Sequence, residues 1–188
     1  MIILICGGSG CGKSSYAENK IMELARVKGE RIYYLATMEV YGEEGKKKVE
    51  RHRKMRFDKG MVTLEQTRNI SACIPKMEEK ARAVLLEDLG NLVANEMFSD
   101  LSTGEDPVCG RSWEIVVTKI LEQIRVLERE VGHLLIVTNN VFEDGVTYEA
   151  GTKNYLMALG RLNEELARTA SEVVEMVVGI PLKIKGDA

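Results

Sequence analysis

No stretch of the 188 residues approaches the roughly 18 consecutive apolar residues of a membrane-spanning helix. The opening MIILICGGSG also lacks the basic segment and long apolar stretch of an export signal. A cytoplasmic protein with no membrane span is expected. Four cysteines, at 6, 11, 73 and 109, include no C-x-x-C pair, so they read as free thiols and not as disulfide staples. Two histidines, at 52 and 133, without metal-ligand spacing, give no support for a zinc site. Aromatic residues make up 5%, and 26 Lys and Arg stand against 29 Asp and Glu. That balance disfavours a nucleic-acid partner bound through a basic, aromatic platform. Only three prolines occur, with no repeat and no Pro/Gly/Ser-rich linker, so residues 1–188 are expected to form one domain. What remains is ordinary globular composition: 45% apolar and 29% charged, which excludes wholesale disorder.

Short apolar runs alternate with amphipathic segments along the chain. Residues 2–6, 31–37, 83–87 and 133–138 read as buried strands, and 61–65 as a short one. Helices are expected over 14–28, stopped by Gly29, and over 45–57 and 71–82. A helix or turn is expected over 91–98. Trp113, Val116, Ile120, Ile124, Leu127 and Val131 recur at helical spacing, as do Leu156, Leu159, Leu162, Leu166 and Ala170. Residues 99–110 are turn-rich. Strands at 173–178 and 181–184 close the pattern. Continuous apolar strands between helices imply a parallel sheet covered on both faces. With the glycine-rich run GGSGCGKS at 7–14 between the first strand and the first helix, the expected fold is an α/β, doubly wound, P-loop NTPase-like sheet, mainly parallel with an antiparallel C-terminal edge.

Gly7-Gly8-Ser9-Gly10-Cys11-Gly12-Lys13-Ser14 fits the phosphate-loop pattern G-x-x-x-x-G-K-[ST], between an apolar strand and a helix. Glycines there let successive backbone N–H groups turn toward phosphate oxygens at a helix N-terminus. Lys13 reaches the terminal phosphates, and the Ser14 hydroxyl can ligate Mg2+. A carboxylate partner for that ion should end a neighbouring strand, where Glu87 and Asp88 follow AVLL. The candidate metal ligands are therefore Ser14, Glu87 and Asp88.

Lys46, Lys47, Lys48, Arg51, Arg53, Lys54 and Arg56 crowd one short segment around His52. Such a run is commonly a solvated face. Here it is a local basic focus in an acidic chain, and neighbouring cations disfavour the charged imidazole. A neutral imidazole keeps a lone pair that can attack phosphorus. The same cations would stabilise a pyrophosphate leaving group. His133 opens a core strand and reads as structural.

These motifs in this order resemble one family, the bifunctional adenosylcobinamide kinase and adenosylcobinamide-phosphate guanylyltransferases. The pieces are GGSGCGKS at 7–14, YLAT at 34–37, His52-x-x-x-Arg56, Thr63-x-Glu65, LLED at 85–88, IVTNNV at 136–141, Gly160-x-x-Asn163 and a terminal VGIPLKIKG. The resemblance implies that His52 is the guanylylated residue. It also implies GTP contacts through the phosphate loop, through Thr37, Met38 and Glu39, through Arg53, Lys54, Met55 and Arg56, and through Glu65 and Glu87. ATP and GTP would be substrates with Mg2+, the acceptor a corrinoid, and the protein a homo-oligomer, expected as a trimer. A kinase without histidine chemistry and a non-catalytic nucleotide-binding module share the same phosphate loop. The chain departs from the family pattern at Gly10 and Cys11, which replace an arginine and a serine. Asn140-Val141-Phe142 replaces Glu-Val-Gly, Leu156-Met157 replaces Arg-Asp, and Met61 replaces a tryptophan.

Overall fold

The computed structural model describes residues 1–39, 59–98, 112–142, 145–146 and 148–186. The basic segment with His52, the helix expected over 45–57 and the turn-rich 99–110 lie outside the described residues. In chain order the elements are β1 (Ile2–Gly7), α1 (Lys13–Lys28), β2 (Arg31–Ala36), β3 (Val62–Glu65), a 3-10 helix (Ile70–Lys76), β4 (Arg82–Glu87) and α2 (Leu89–Phe98). They continue with α3 (Trp113–Glu130), β5 (His133–Val137), α4 (Ala150–Thr169), β6 (Glu172–Val177) and β7 (Ile180–Lys185). The strands form one seven-stranded sheet in the order β3-β2-β4-β5-β1-β6-β7. Every pairing is parallel except β6 with β7, which is antiparallel, so the expected edge is present.

The strands read as unbroken apolar runs because helices cover both of their faces. Ile3, Ile5, Leu85 and Leu135 pack on one face against Ala17, Ile21 and Ala25 of α1. Leu4, Leu86, Leu134 and Ile136 pack on the other with residues of α2, α3 and α4, including Leu92, Ile120 and Leu162. Helix α1 ends where expected. Gly29 takes φ 66°, the left-handed conformation that closes a helix without a side-chain clash. His133 is buried at the start of β5 with Nδ1 against a carboxylate oxygen of Glu30, the structural role expected of it. Cys6, Cys11 and Cys73 are free thiols, and burial pushes Cys73 up to about 11.

One expected helix is corrected. Residues 71–82 form no α-helix; a 3-10 helix spans Ile70–Lys76, and Met77 is already extended. Ile70, Cys73, Ile74 and Met77 do carry helical spacing and do meet the core. Pro75, however, removes a backbone donor and its ring obstructs the preceding turn. Side chains take over the start of the segment. The Asn69 N–H donates to Glu96 Oε1 at 2.9 Å, and the Ile70 N–H to Gln123 Oε1 at 2.7 Å. Glu96, on α2, is 2% exposed and pairs with Lys119 Nζ at 2.5 Å.

Burial would raise the Glu96 pKa. The Lys119 hydrogen bond and charge and the Asn69 N–H outweigh it and hold the carboxyl below its ordinary value. A depressed carboxyl contributes stability that is full above the unfolded pKa, about 4.3, and is lost as pH falls through the lower folded value. Glu96→Gln should therefore cost about 1–3 kcal/mol at neutral pH and make the acid limb of the stability curve shallower. Urea denaturation as a function of pH measures both effects.

Candidate nucleotide and phosphoryl-transfer site

The site is built on the carboxyl edge of the sheet, where a doubly wound fold opens its crevice. Gly7 closes β1 with no room for a side chain. A Cβ there would lie 2.6 Å from the Met176 carbonyl oxygen and 2.8 Å from Cys11 Sγ. Gly12, with φ 92°, turns the chain into α1. The loop is held from its far side by the β6–β7 hairpin, whose Gly179 N–H donates to the Cys11 carbonyl at 3.2 Å. Val178 in that two-residue turn has φ 45° and is 85% exposed. A β-branched residue is strained there, where Asn and Gly are favoured.

Lys13 is buried, and its ammonium donates to the carbonyls of Gly7 at 2.9 Å and Gly8 at 2.6 Å. The charge is thus held at the base of the loop. The Ser14 hydroxyl donates to Glu87 Oε1, joining the first turn of α1 to the end of β4. Glu87 Oε2 is buried and has no hydrogen-bond partner among the described residues. Burial pushes the Glu87 carboxyl up, against the hydrogen bonds of Ser14 and Tyr34 and with the help of nearby Glu18 and Asp88. A half-satisfied carboxylate beside a hydroxyl suits a small hard cation. No cluster of three or more His, Cys, Asp or Glu occurs among the described residues. Magnesium needs none, because it keeps waters and takes substrate phosphate oxygens. The residues present fit it.

Asp88 sits one residue on but faces elsewhere. Its Oδ1 accepts the Asn91 N–H at 2.6 Å at the start of α2, and its Oδ2 accepts from Asn139 Nδ2 at 3.2 Å. Its carbonyl accepts the Thr37 hydroxyl at 2.7 Å. Of the two acids, Glu87 is the one turned to Ser14. Thr37 is fully buried, and Asn95 Nδ2 donates to its carbonyl at 2.7 Å. Met38 is exposed, and Glu39 lies 4.0 Å from Arg68 Nε. Glu65 is exposed at the end of β3. Strand register sets Glu65, Ala36 and Glu87 side by side in one row. His52, Arg53, Lys54, Met55 and Arg56 lie outside the described residues.

Sequence reasoning assigned no role to the amides that fasten this edge. Thr138 donates to Asn163 Oδ1 at 2.7 Å, and Asn163 Nδ2 to the Asn139 carbonyl at 3.4 Å. Asn139 and Asn163 lay inside quoted motifs. Asn95 carried no signal, since a lone asparagine on a helix has no periodicity to betray it. Three of the departures noted above, Phe142, Leu156 and Met157, line one shared groove.

Comparison with known proteins places the chain in a family. The family model described as cobinamide kinase / cobinamide phosphate guanyltransferase matches residues 3–184. The chain belongs to that family. Among its relatives, the bifunctional adenosylcobalamin biosynthesis proteins CobU of Escherichia coli K12 and of Salmonella typhimurium LT2 are each 29% identical over 191 residues. Each match covers 98% of this chain and 100% of the relative. The CobP protein of Pseudomonas aeruginosa is 26% identical, covering 98% of this chain and 97% of the relative. Among solved structures, a KaiC-like protein of Pyrococcus horikoshii OT3 superposes with a TM-score of 0.50 at 14% identity. That match covers 93% of this chain and 69% of the other, a likeness of fold alone. No helix among the described residues is long and apolar enough to cross a membrane.

A raised carboxyl in the folded state makes its charge a burden above the unfolded pKa. Glu87→Gln, free of nucleotide and magnesium, should melt at a higher temperature than the parent at pH 7, yet lose the further rise that GTP with magnesium confers. Calorimetry with and without ligand separates the two. Val178→Asn should raise stability by about 1 kcal/mol, read as the denaturation midpoint.

Proposed function

We propose that this family member phosphorylates adenosylcobinamide with ATP or GTP and then transfers GMP from GTP, through His52, to give adenosyl-GDP-cobinamide. What supports this most directly in the site is the meeting of Lys13, Ser14 and Glu87 at the base of the phosphate loop. In the first step the terminal hydroxyl oxygen of the corrinoid's aminopropanol arm attacks the γ-phosphorus. The bond to the β–γ bridging oxygen breaks, the nucleoside diphosphate leaves and the hydroxyl proton passes to a base or to water. Loop N–H groups and Lys13 hold the charge that spreads over the transferred group. Ser14 and Glu87 would hold Mg2+, which neutralises charge on the phosphate oxygens when bound. Asp88, also a candidate for that ion from sequence, would act by fixing the start of α2 and Asn139 beside it.

In the second step a His52 ring nitrogen attacks the α-phosphorus of GTP. A P–N bond forms, the bond to the bridging oxygen breaks and pyrophosphate departs. The cobinamide phosphate oxygen then attacks that phosphorus and the imidazole leaves. The nucleotide contacts would come from Gly7, Gly8, Ser9, Gly10, Cys11, Gly12, Lys13 and Ser14. Thr37, Met38, Glu39, Glu65 and Glu87 would supply the rest with Arg53, Lys54, Met55 and Arg56. A cytoplasmic homo-oligomer, a trimer by resemblance, completes the reading.

Incubation with magnesium and α-labelled GTP should leave one acid-labile GMP on the protein. His52→Ala should abolish the adduct while cobinamide phosphorylation persists. Lys13→Ala should reduce phosphorylation by about 10²-fold or more. A wild-type protein that binds GTP and phosphorylates cobinamide but never acquires GMP would reduce the activity to a kinase.

A further inference from the structure

Two hydroxyls from two different elements meet the Glu87 carboxylate. Ser14 donates from the first turn of α1. Tyr34 donates from β2. Strand pairing carries the phenol there. Strands β2 and β4 run parallel, with Tyr34 beside Leu85 and Ala36 beside Glu87. Tyr34 and Leu85 pack on the α1 face of the sheet with Ala17 and Ile21. Side chains two apart on a strand share a face, so Glu87 stands on that face too. Tyr34 therefore starts two residues, about 7 Å, further from the carboxyl edge than Glu87. A tyrosine is long enough to cross that distance, and Ala36 between them carries only a methyl group. Tyr34 is 9% exposed, so its ring is held by packing and its hydroxyl has a fixed place.

The charges nearby are settled in other ways. Glu18, one turn beyond Ser14 on α1, is close enough to act on Glu87, but its Oε2 pairs with Lys59 Nζ. Asp88 is turned to Asn91 and Asn139. Glu87 is held by neutral donors, and its Oε2 has no hydrogen-bond partner among the described residues. A cationic donor would orient the carboxylate but cancel the charge that attracts a divalent ion. A phenol orients it and leaves the charge in place. Tyr33, one residue earlier, shows the contrast. It packs on the opposite face with Leu4 and Leu86. Its hydroxyl donates to Glu79 and accepts the Glu78 N–H at 3.1 Å, before β4 begins and so at the edge away from the phosphate loop.

We infer that Tyr34 is a positioning residue for phosphoryl transfer, its hydroxyl holding the Glu87 carboxylate in place for the magnesium ion of the bound nucleotide. This rests on the function proposed above, in which Ser14 and Glu87 hold that ion. The two donors are not equivalent. Ser14 would itself take the ion, whereas Tyr34 reaches Glu87 from the sheet and serves only to fix it. Hydrogen-bond partners of a metal ligand set its orientation, and their loss commonly costs about 10–100-fold in metal affinity. Tyr33 and Tyr34 look alike in RIYYLAT. Strand alternation gives one to the core and the other to the site.

The test compares wild type with Tyr34→Phe, with Tyr34→Met as a second variant lacking the hydroxyl, and with Tyr33→Phe as the control. Melting temperature without ligand reports whether each folds. Wild-type turnover of adenosylcobinamide with magnesium and GTP checks the functional reading separately; its absence defeats that reading and the transfer role of Tyr34 with it. Calorimetry then measures GTP binding across a series of magnesium concentrations and in EDTA. The magnesium concentration for half-maximal tightening should rise about tenfold or more in Tyr34→Phe, with GTP affinity in EDTA within about twofold of wild type. Tyr33→Phe should keep the wild-type magnesium dependence, whatever stability it loses. An unchanged magnesium dependence in folded Tyr34 variants overturns the assignment and leaves the function standing. An equal loss of GTP affinity with and without magnesium also overturns it, because the phenol then serves the phosphate loop or the core. So does a shift of the same size in Tyr33→Phe, which would make the effect one of general stability.

Discussion

The phosphate loop can close only because Gly7 has no side chain. Its Cα runs against the Met176 backbone of β6 with no space for one more carbon, and that approach fixes where the loop leaves β1. The rest follows from it. The Cys11 carbonyl falls within reach of the Gly179 N–H, Lys13 folds back onto the carbonyls of Gly7 and Gly8, and Ser14 is delivered to Glu87. A loop displaced by one methyl group would break this chain of contacts at its first link.

A layer of amides, a hydroxyl and the Asp88 carboxylate fastens the strand ends around that loop. Thr37, Asp88, Asn95, Asn139 and Asn163 join β2, β4, β5, α2 and α4 through side-chain hydrogen bonds. Buried polar groups are costly unless paired, so a paired layer admits few other arrangements. Glu87 Oε2, a buried oxygen without a hydrogen-bond partner among the described residues, belongs to the carboxylate that Ser14 meets.

The two faces of the sheet differ at its carboxyl edge. Helix α1 and the phosphate loop occupy one, while α3 and α4 leave an apolar groove at the same edge on the other.

Much of this was legible in the sequence. Continuous apolar strands announced a parallel sheet, the glycine spacing announced the phosphate loop, and the place after AVLL offered Glu87 and Asp88 alike. These features are local: a few neighbouring residues dictate a backbone shape or a burial pattern. The 71–82 helix failed on one residue, Pro75, because helical spacing describes which side chains meet the core and not which backbone bonds can form. Only the tertiary structure separated Glu87 from Asp88, whose adjacent side chains look equivalent in sequence but point to Ser14 and to Asn139. Only it gathered Trp113, Phe142 and Met157 into one groove. Strand register and helix packing bring such distant residues together, and neither is written in any short window of the chain.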